Sequence, residues 1–350
     1  MFSNYSLFLI PLLVSFVIAA LLLMVLIAAG RKYAVCDTRT CERHLHKQGI
    51  SRLGGMALIV SFLAAIFLDK QLVISTPLLG VLFASVAILV LGVVDDFRQI
   101  SWKTQLLLQL IIVVFVYIVG VRLQYVSNPF GGIFLFQDGV GYVIGLLVSI
   151  VWVVFLMNAM NWVDGIDGVS GGVTFIGALT IFFLSLRPEV NQPPVGIIAA
   201  VLIGSLVAFI LFNFHPAKIL AGTSGSMFMG FILAVLAIFA GAKIATTLLM
   251  LAIPIIDALW VIGERFSAGD SIFSADKRHL HFKLLELGWS PRKICLFYYG
   301  VTALVAVIAL NTNALGKAVA FMLISVFMTG VFFAIRRKIT LLKKVKMNLF

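Results

Sequence analysis

The most constraining feature of this sequence is a succession of apolar runs, each close to the roughly 20 residues that an α-helix needs to cross a bilayer. The runs cover residues 7–29, 53–68, 77–93, 105–121, 140–157, 172–186, 194–212, 226–242, 245–262, 295–312 and 317–335. Only 11% of the residues are charged, whereas a soluble domain carries roughly 25%. These features exclude a water-soluble enzyme. They predict an all-α polytopic membrane protein, with residues 1–350 forming one domain of about eleven transmembrane helices.

The basic residues predict the side on which each connecting segment lies. With eleven spans, 21 of the 26 Lys and Arg residues fall in segments on the same side as the C-terminus. Because basic segments stay in the cytosol, we predict an outside N-terminus, a cytosolic C-terminus and location in the cell inner (plasma) membrane. The net charge of +12 then reflects topology and contact with the lipid bilayer, and we predict no nucleic-acid partner.

Acidic residues also concentrate on the predicted cytosolic side. Of the 14 Asp and Glu residues, eleven lie in those segments or at the adjoining helix ends. Solvated loop charges explain some of them, but acids mixed with Arg, Lys and His also suit a site for a metal ion and an anionic substrate. The predicted active-site segments are residues 30–52, 94–104, 158–171, 213–225 and 263–294.

The third apolar run ends in two adjacent carboxylates, Asp95 and Asp96. Two like charges side by side repel each other. A divalent cation or a shared proton would relieve that repulsion, so the pair is a candidate catalytic or metal-organising group. An exposed helix end explains a lone Asp pair equally well.

A second polar motif follows the fifth apolar run. Asn158, Asn161 and Asp164 recur every three residues, which would place them on one face of a helix. Asp167 follows, interleaved with several glycines that would let the backbone approach a ligand closely. A solvated loop would not need Asn at helical spacing, so this pattern favours a functional site.

Two further segments add polar residues on the same side. Asn213 and Lys218 precede the small residues of 222–226, which could bind phosphate at a helix N-terminus or simply cap that helix. His279 and His281 could contact a phosphate or donate protons near neutral pH. A zinc site is disfavoured there because no third ligand is nearby.

The order of these motifs resembles that of the polyprenyl-phosphate N-acetylhexosamine-1-phosphate transferase family, from about Asp37 to Gly288. The matching stretches are Arg43-His44-Leu45-His46, Arg52-Leu53-Gly54-Gly55, Asp95-Asp96, Asn161 to Gly168, Phe212-Asn213, Pro216-Ala217, Gly222 to Ser226 and Asp276 to His281. The resemblance implies transfer of a phospho-N-acetylhexosamine, GlcNAc-1-phosphate in particular, from a UDP-sugar to undecaprenyl (polyprenyl) phosphate with release of UMP. That reaction initiates a lipid-linked cell-envelope glycan, such as lipopolysaccharide or teichoic acid.

The resemblance also implies roles for individual residues. The expected catalytic residues are Asp95, Asp96, His279 and His281. The expected ligands of Mg²⁺, for which Mn²⁺ could substitute, are Asp164, Asp167 and Thr223. The expected substrate contacts are Arg43, His46, Arg52, Asn158, Asn161, Asn213, Lys218 and Arg278. The implied partners are a UDP-N-acetylhexosamine and a polyprenyl phosphate, and a homodimer is compatible with the resemblance.

Two positions depart from the family pattern. Thr223 stands where the family usually has a magnesium-binding Asp, and Phe282 stands where it usually has the last His of its motif. The first change removes a charged ligand, so a catalytically impaired relative is one alternative function. A membrane transporter is another, although transporters place binding residues near the bilayer midplane and often contain internal repeats.

Overall fold

The computed structural model describes residues 2–33, 50–241, 243–271 and 277–347, and most of these are helical. The helices are α1 (Phe2–Tyr33), α2 (Gly54–Leu68), α3 (Thr76–Arg98), α4 (Trp102–Ile118), α5 (Val140–Val163), α6 (Val169–Ser185), α7 (Pro193–Asn213), α8 (Gly222–Phe239), α9 (Ile244–Met250), α10 (Ala252–Ala268), α11 (Leu280–Glu286), α12 (Pro291–Asn311) and α13 (Ala314–Met347). Two short antiparallel strands are β1 (Tyr125–Ser127) and β2 (Ile133–Leu135). The predicted class, an all-α polytopic membrane protein, is confirmed apart from this hairpin.

Among the described helices, seven are long and apolar enough to cross a membrane, and α9 with α10 makes an eighth if the bent pair is one span. Three further apolar helices, α2, α4 and α6, have 15, 17 and 17 residues. Every predicted run therefore overlaps a described helix or helix pair, although some runs extend past the helix ends. The count of eleven crossings depends on the three shorter helices and stays a prediction.

The predicted ninth span is not one straight helix. α9 ends at Met250, and α10 leaves at an angle of 77°. Pro254 has no N–H to donate to the carbonyl of Met250, so a regular helix cannot run through this point. The break gives α10 a direction of its own.

Two other connecting segments contain structure that the apolar pattern did not predict. The hairpin of β1 and β2 occupies the connection between α4 and α5. It turns at Gly131 and Gly132, both of which have positive φ. The seven-residue helix α11 lies inside the predicted active-site segment 263–294.

The centre of the bundle is formed by α7 and α8. In their most apolar windows, 78% of the residues of α7 and 83% of those of α8 are buried, against 17% in α1 and α13. The central α8 packs against α2, α3 and α5. Its N-terminus therefore meets the N-terminus of α2 and the C-terminal ends of α3 and α5, which carry the predicted carboxylates.

Candidate active site

The carboxylate pair at the end of α3 contacts the first turn of α8. The hydroxyl of Thr223 donates a hydrogen bond to Oδ2 of Asp95 at 2.8 Å and lies 3.3 Å from Oδ1 of Asp96. The backbone N–H of Thr223 lies 3.1 and 3.0 Å from the two carboxylate oxygens of Asp96. Three predicted site residues are thus in contact, and Thr223 acts as a hydrogen-bond donor to both carboxylates.

Two glycines allow this close approach. Gly92 of α3 faces the backbone of Ser224, and a Cβ at position 92 would overlap it. Gly222 has a φ of 67°, and a Cβ there would overlap the carboxylate of Asp96. Small residues let helices in a membrane approach at backbone distance. The glycines therefore bring the carboxylate pair onto the start of α8.

Arg52 supplies positive charge to this pair. Its Nη1 atom lies 3.8 Å from Oδ1 of Asp96, whose side chain is only 5% exposed. The neighbouring Ser51 accepts a hydrogen bond at its carbonyl from the N–H of Leu220, at 2.8 Å. This link ties the Arg52 segment to the loop before α8 and keeps the guanidinium beside the carboxylates.

Asp164 follows directly after the last residue of α5 and accepts a hydrogen bond from the hydroxyl of Ser170. Burial, together with the charges of Asp96 and Asp167, raises the pKa of Asp164 to about 7, although the Ser170 hydrogen bond and Arg52 oppose the shift. Asp164 therefore shares an electrostatic environment with Asp96. We call Asp95, Asp96, Asp164 and Thr223 the carboxylate cluster.

Asp167 and Asn213 connect the glycine-rich segment to the loop after α7. Oδ2 of Asp167 lies 2.8 Å from Nδ1 of His215 and accepts the N–H of Ala217 at 3.1 Å. Oδ1 of Asn213 accepts the N–H of Gly168 at 2.9 Å. Both predicted site residues are buried and hold two loops together. These contacts favour a positioning role for both.

Asn158, Asn161 and Asp164, which were predicted to share one helix face, each contact a different part of the protein. Nδ2 of Asn158 donates to Oε1 of Gln109 at 2.8 Å, which joins α5 to α4. Oδ1 of Asn161 accepts from the hydroxyl of Ser226 at 2.8 Å, which joins α5 to α8. Only Asp164 of the three lies in the carboxylate cluster.

A second polar group lies where α10 meets the start of α11. Oδ2 of Asp257 lies 2.9 Å from Nδ1 of His279, and Oδ1 accepts the N–H of Leu280 at 2.8 Å. The side chains of Asp257 and His279 are 1% and 5% exposed. Sequence reasoning missed Asp257, although an acid inside an apolar run is itself a signal of function.

His281 is completely buried beside this pair, with its ring parallel to that of His279 at 5.8 Å. Within the part of the chain that the structure describes, neither of its ring nitrogens has a hydrogen-bond partner. Burial, with a smaller effect of His279, lowers the pKa of His281 to about 3 despite the nearby Asp257. A neutral, enclosed imidazole favours a packing role for His281 and leaves ligand contact to His279. We call Asp257, His279 and His281 the histidine cluster.

The segment after α5 connects the two clusters. A Cβ on Gly165 would overlap Nε2 of His281, so the backbone next to Asp164 lies directly on that ring. The ring of Trp162 lies 5.9 Å from the ring of His279 and 5.9 Å from the guanidinium carbon of Arg265. The carboxylates and the histidines are thus neighbouring parts of one region.

Some predicted site residues lie elsewhere. Lys218 is exposed, with its Nζ atom 6.0 Å from the centre of the Phe212 ring. Arg278 forms an ion pair with Asp270 and lines a cavity between α10 and α13. Arg43 and His46 lie outside the described residues.

The donor set of the carboxylate cluster suits a hard divalent cation. Among the described residues, no group of three or more His, Cys, Asp or Glu forms a preassembled metal cage. Mg²⁺ does not require such a cage, because it usually keeps several waters and binds one or two carboxylates together with substrate phosphates. The buried carboxylates Asp96 and Asp164 fit that kind of site, and the region could organise Mg²⁺ and a diphosphate together.

The comparisons with known proteins agree with this picture. A family model described as glycosyl transferase family 4 matches residues 78–241. The chain is 27% identical to a probable undecaprenyl-phosphate N-acetylglucosaminyl 1-phosphate transferase of Bacillus subtilis, covering 83% of this chain and 82% of that protein. It is 32% identical to a decaprenyl-phosphate N-acetylglucosaminephosphotransferase of Mycobacterium leprae, with 82% and 78% covered. It is 30% identical to a phospho-N-acetylmuramoyl-pentapeptide-transferase of Halalkalibacterium halodurans, with 86% and 96% covered.

Proposed function

Since this chain belongs to glycosyl transferase family 4, we propose that it transfers N-acetylglucosamine 1-phosphate from UDP-N-acetylglucosamine to a polyprenyl phosphate and releases UMP. The observation that carries the proposal is the convergence of Asp95, Asp96 and Asp164 at the start of α8. A cluster of carboxylates at helix ends suits a cytosolic nucleotide sugar and an acceptor whose tail stays in the bilayer.

The reaction is a phosphoryl transfer between two anions. An oxygen of the polyprenyl phosphate forms a bond to the phosphorus that carries the sugar. The bond from that phosphorus to the bridging oxygen of the UDP group breaks, and UMP leaves with that oxygen. We favour this single displacement because a lipid phosphate is already an anionic nucleophile near neutral pH.

Carboxylates of the carboxylate cluster would hold Mg²⁺, which would supply positive charge to offset that of the diphosphate. Asp95 and Asp96 organise the attacking phosphate and the metal, and Thr223 holds the two carboxylates in position through its hydroxyl and N–H. Arg52 adds a cation on the same side. Asp164 would supply a further carboxylate oxygen to the metal.

The histidine cluster contributes a contact to the diphosphate through His279. Asp257 engages Nδ1 of that ring, so Nε2 is the nitrogen that can face a ligand. The hydrogen bond from Leu280 to Asp257 fixes the start of α11 at the same point. Asp257 is therefore a positioning residue that acts through His279.

We further propose eleven crossings, an outside N-terminus and a carboxylate cluster at the cytosolic surface of the inner membrane. The three apolar helices of 15 to 17 residues span by tilting little or by extending into their flanks. In this topology, a cysteine introduced by Arg98→Cys reacts with an impermeant reagent only after permeabilisation. A cysteine introduced by Arg187→Cys reacts from outside. Reversed accessibility would overturn the cytosolic assignment.

Neither the family model nor the relatives support a transporter.

The proposal is tested with purified protein in detergent, undecaprenyl phosphate and a panel of UDP-sugars. We expect magnesium-dependent release of UMP that requires the lipid acceptor and is fastest with UDP-N-acetylglucosamine. Absence of UMP release with every UDP-sugar, from protein that is folded and monodisperse, would identify a catalytically impaired relative.

A further inference from the structure

A cavity of about 950 Å³ lies between α10, α11 and α13, away from the carboxylate cluster. Its lining changes from apolar to basic. Leu259, Trp260 and Phe333 line one part, and Lys277, Arg278 and Arg336 line the other. We propose that this cavity binds the headgroup and upper acyl chains of an anionic phospholipid from the surrounding bilayer.

The position of the cavity on α13 places it at the membrane interface. The apolar run of α13 ends at Ile335. Within it, Phe333 stands one turn before the basic triplet 336–338. Cations at the end of an apolar helix mark the depth at which phospholipid phosphates lie. Leu259 and Phe333 are 52% and 57% exposed, so the apolar part of the cavity opens toward lipid chains.

The apolar wall is rigid and already assembled. Trp260 stacks on Phe332 with ring centres 4.8 Å apart and an angle of 6°. It meets Phe333 edge to face at 5.1 Å. These contacts hold the kinked helix α10 against α13. An acyl chain therefore meets a preformed aromatic surface instead of one that must be ordered on binding.

The charges in the cavity leave cations available for a phosphate. Lys283 pairs with Glu264 at 3.1 Å, which neutralises that acid. Lys277 and Arg336 have no acidic partner among the residues that the structure describes, and both line the cavity. Glu286 is the remaining acid in the lining. A monoanionic lipid phosphate complements two cations better than a zwitterionic headgroup does, since the latter brings its own positive charge.

The test is lipid retention by the purified full-length protein, measured by native mass spectrometry with phosphatidylglycerol and phosphatidylcholine as probes. We expect preferential retention of phosphatidylglycerol. Lys277→Gln and Arg336→Gln should each weaken that retention roughly fivefold, because a cation near a membrane surface contributes about a factor of five to anionic-lipid binding. Lys103→Gln, which removes an exposed cation at the start of α4, is the matched control and should change nothing.

Thr340→Lys should have the opposite effect on lipid retention, because it adds a cation to the cavity. Thr340 lines the cavity and is exposed. It should tighten phosphatidylglycerol retention by a similar factor, so a folding defect in the loss variants does not leave the proposal untested. Equal retention of the two lipids, or no change in all three cavity variants, would overturn the proposal. Displacement by undecaprenyl phosphate would reassign the cavity to the acceptor lipid, and displacement by inorganic phosphate would reassign it to soluble anions. Either displacement would also refute the proposed phospholipid site.

Discussion

The two polar clusters differ in how their charges are balanced. In the carboxylate cluster, Asp95, Asp96 and Asp164 are accompanied by hydroxyl and backbone donors and by one guanidinium at 3.8 Å. In the histidine cluster, the single carboxylate of Asp257 is matched by a histidine and a backbone N–H at 2.9 and 2.8 Å. The first cluster carries excess negative charge, whereas the only carboxylate of the second is hydrogen-bonded within the protein.

This difference indicates that the two clusters have different roles. Excess carboxylate charge in a partly buried place is costly unless a cation or a proton compensates for it. The carboxylate cluster is thus suited to be completed by ligands. A buried, hydrogen-bonded pair such as Asp257 and His279 fixes geometry before any ligand arrives.

Neutralising the carboxylate cluster should nearly abolish the reaction. We expect Asp95→Asn, Asp96→Asn and Asp164→Asn each to lower the rate of UMP release at least about a hundredfold, the scale of losing an acid/base or charge-organising group. Size-exclusion chromatography checks that each variant is folded. Asp138→Asn, at an exposed position, is the control. Near-normal rates in all three variants would show that these carboxylates are solvated charges at helix ends with no role in the reaction.

Substitutions in the histidine cluster should lower turnover less than those in the carboxylate cluster, and the effect of one substitution should depend on the other. An Asn amide occupies roughly the place of Nδ1 of His279, and a Gln amide that of Nε2. We therefore expect His279→Asn to keep the contact with Asp257 and the melting temperature but to lose turnover by tens of fold. His279→Gln should retain more turnover and melt at a lower temperature.

The dependence on Asp257 is tested by a double-mutant cycle. If Asp257 acts only through His279, then Asp257→Asn should slow UMP release about tenfold in the wild-type background and have little effect in His279→Asn. Asp257→Glu, which keeps the charge, should recover part of the rate. Independent, multiplicative effects of the two substitutions would show that Asp257 has a separate, purely structural role.

Thr223 should affect stability and metal response more than turnover. Thr223→Val removes the hydroxyl donor to Asp95 and should lower the free energy of unfolding by about 1–3 kcal/mol. Thr223→Asp places a third carboxylate against the pair. It should melt at a lower temperature without Mg²⁺ and recover when Mg²⁺ is added. The same Mg²⁺-induced melting shift in wild type and Thr223→Asp would argue against a metal near this position.

The pH dependence of the melting temperature should depend on Asp164. Because the pKa of Asp164 is raised to about 7 in the folded state, its contribution to stability is complete below the unfolded pKa of about 4 and is lost as pH rises toward 7. Asp164→Asn does not titrate. Its melting temperature should therefore rise relative to that of the wild type between pH 5 and pH 8, measured without divalent cations. Parallel melting curves at both pH values would contradict the assignment.

Much of this protein follows from local sequence patterns. Apolar runs predicted the helices because a bilayer crossing needs a fixed length of apolar residues. The end of the third run placed Asp95 and Asp96 at the tip of α3. The glycine-rich stretch after α5 likewise placed Asp164 just beyond a helix end. These features depend only on residues that are close together in the chain.

The remaining features of the site were decided by the tertiary structure, because they depend on contacts between residues that are far apart in the chain. Periodicity placed Asn158 beside Asp164, but packing turned Asn158 toward Gln109. The break before α10 brings Asp257 to His279, 22 residues away in sequence. The seating of α3 on α8 makes Thr223 a donor to Asp95, 128 residues away. Helical spacing predicts which residues share a helix face. Which other helix that face contacts is determined only when whole helices pack together.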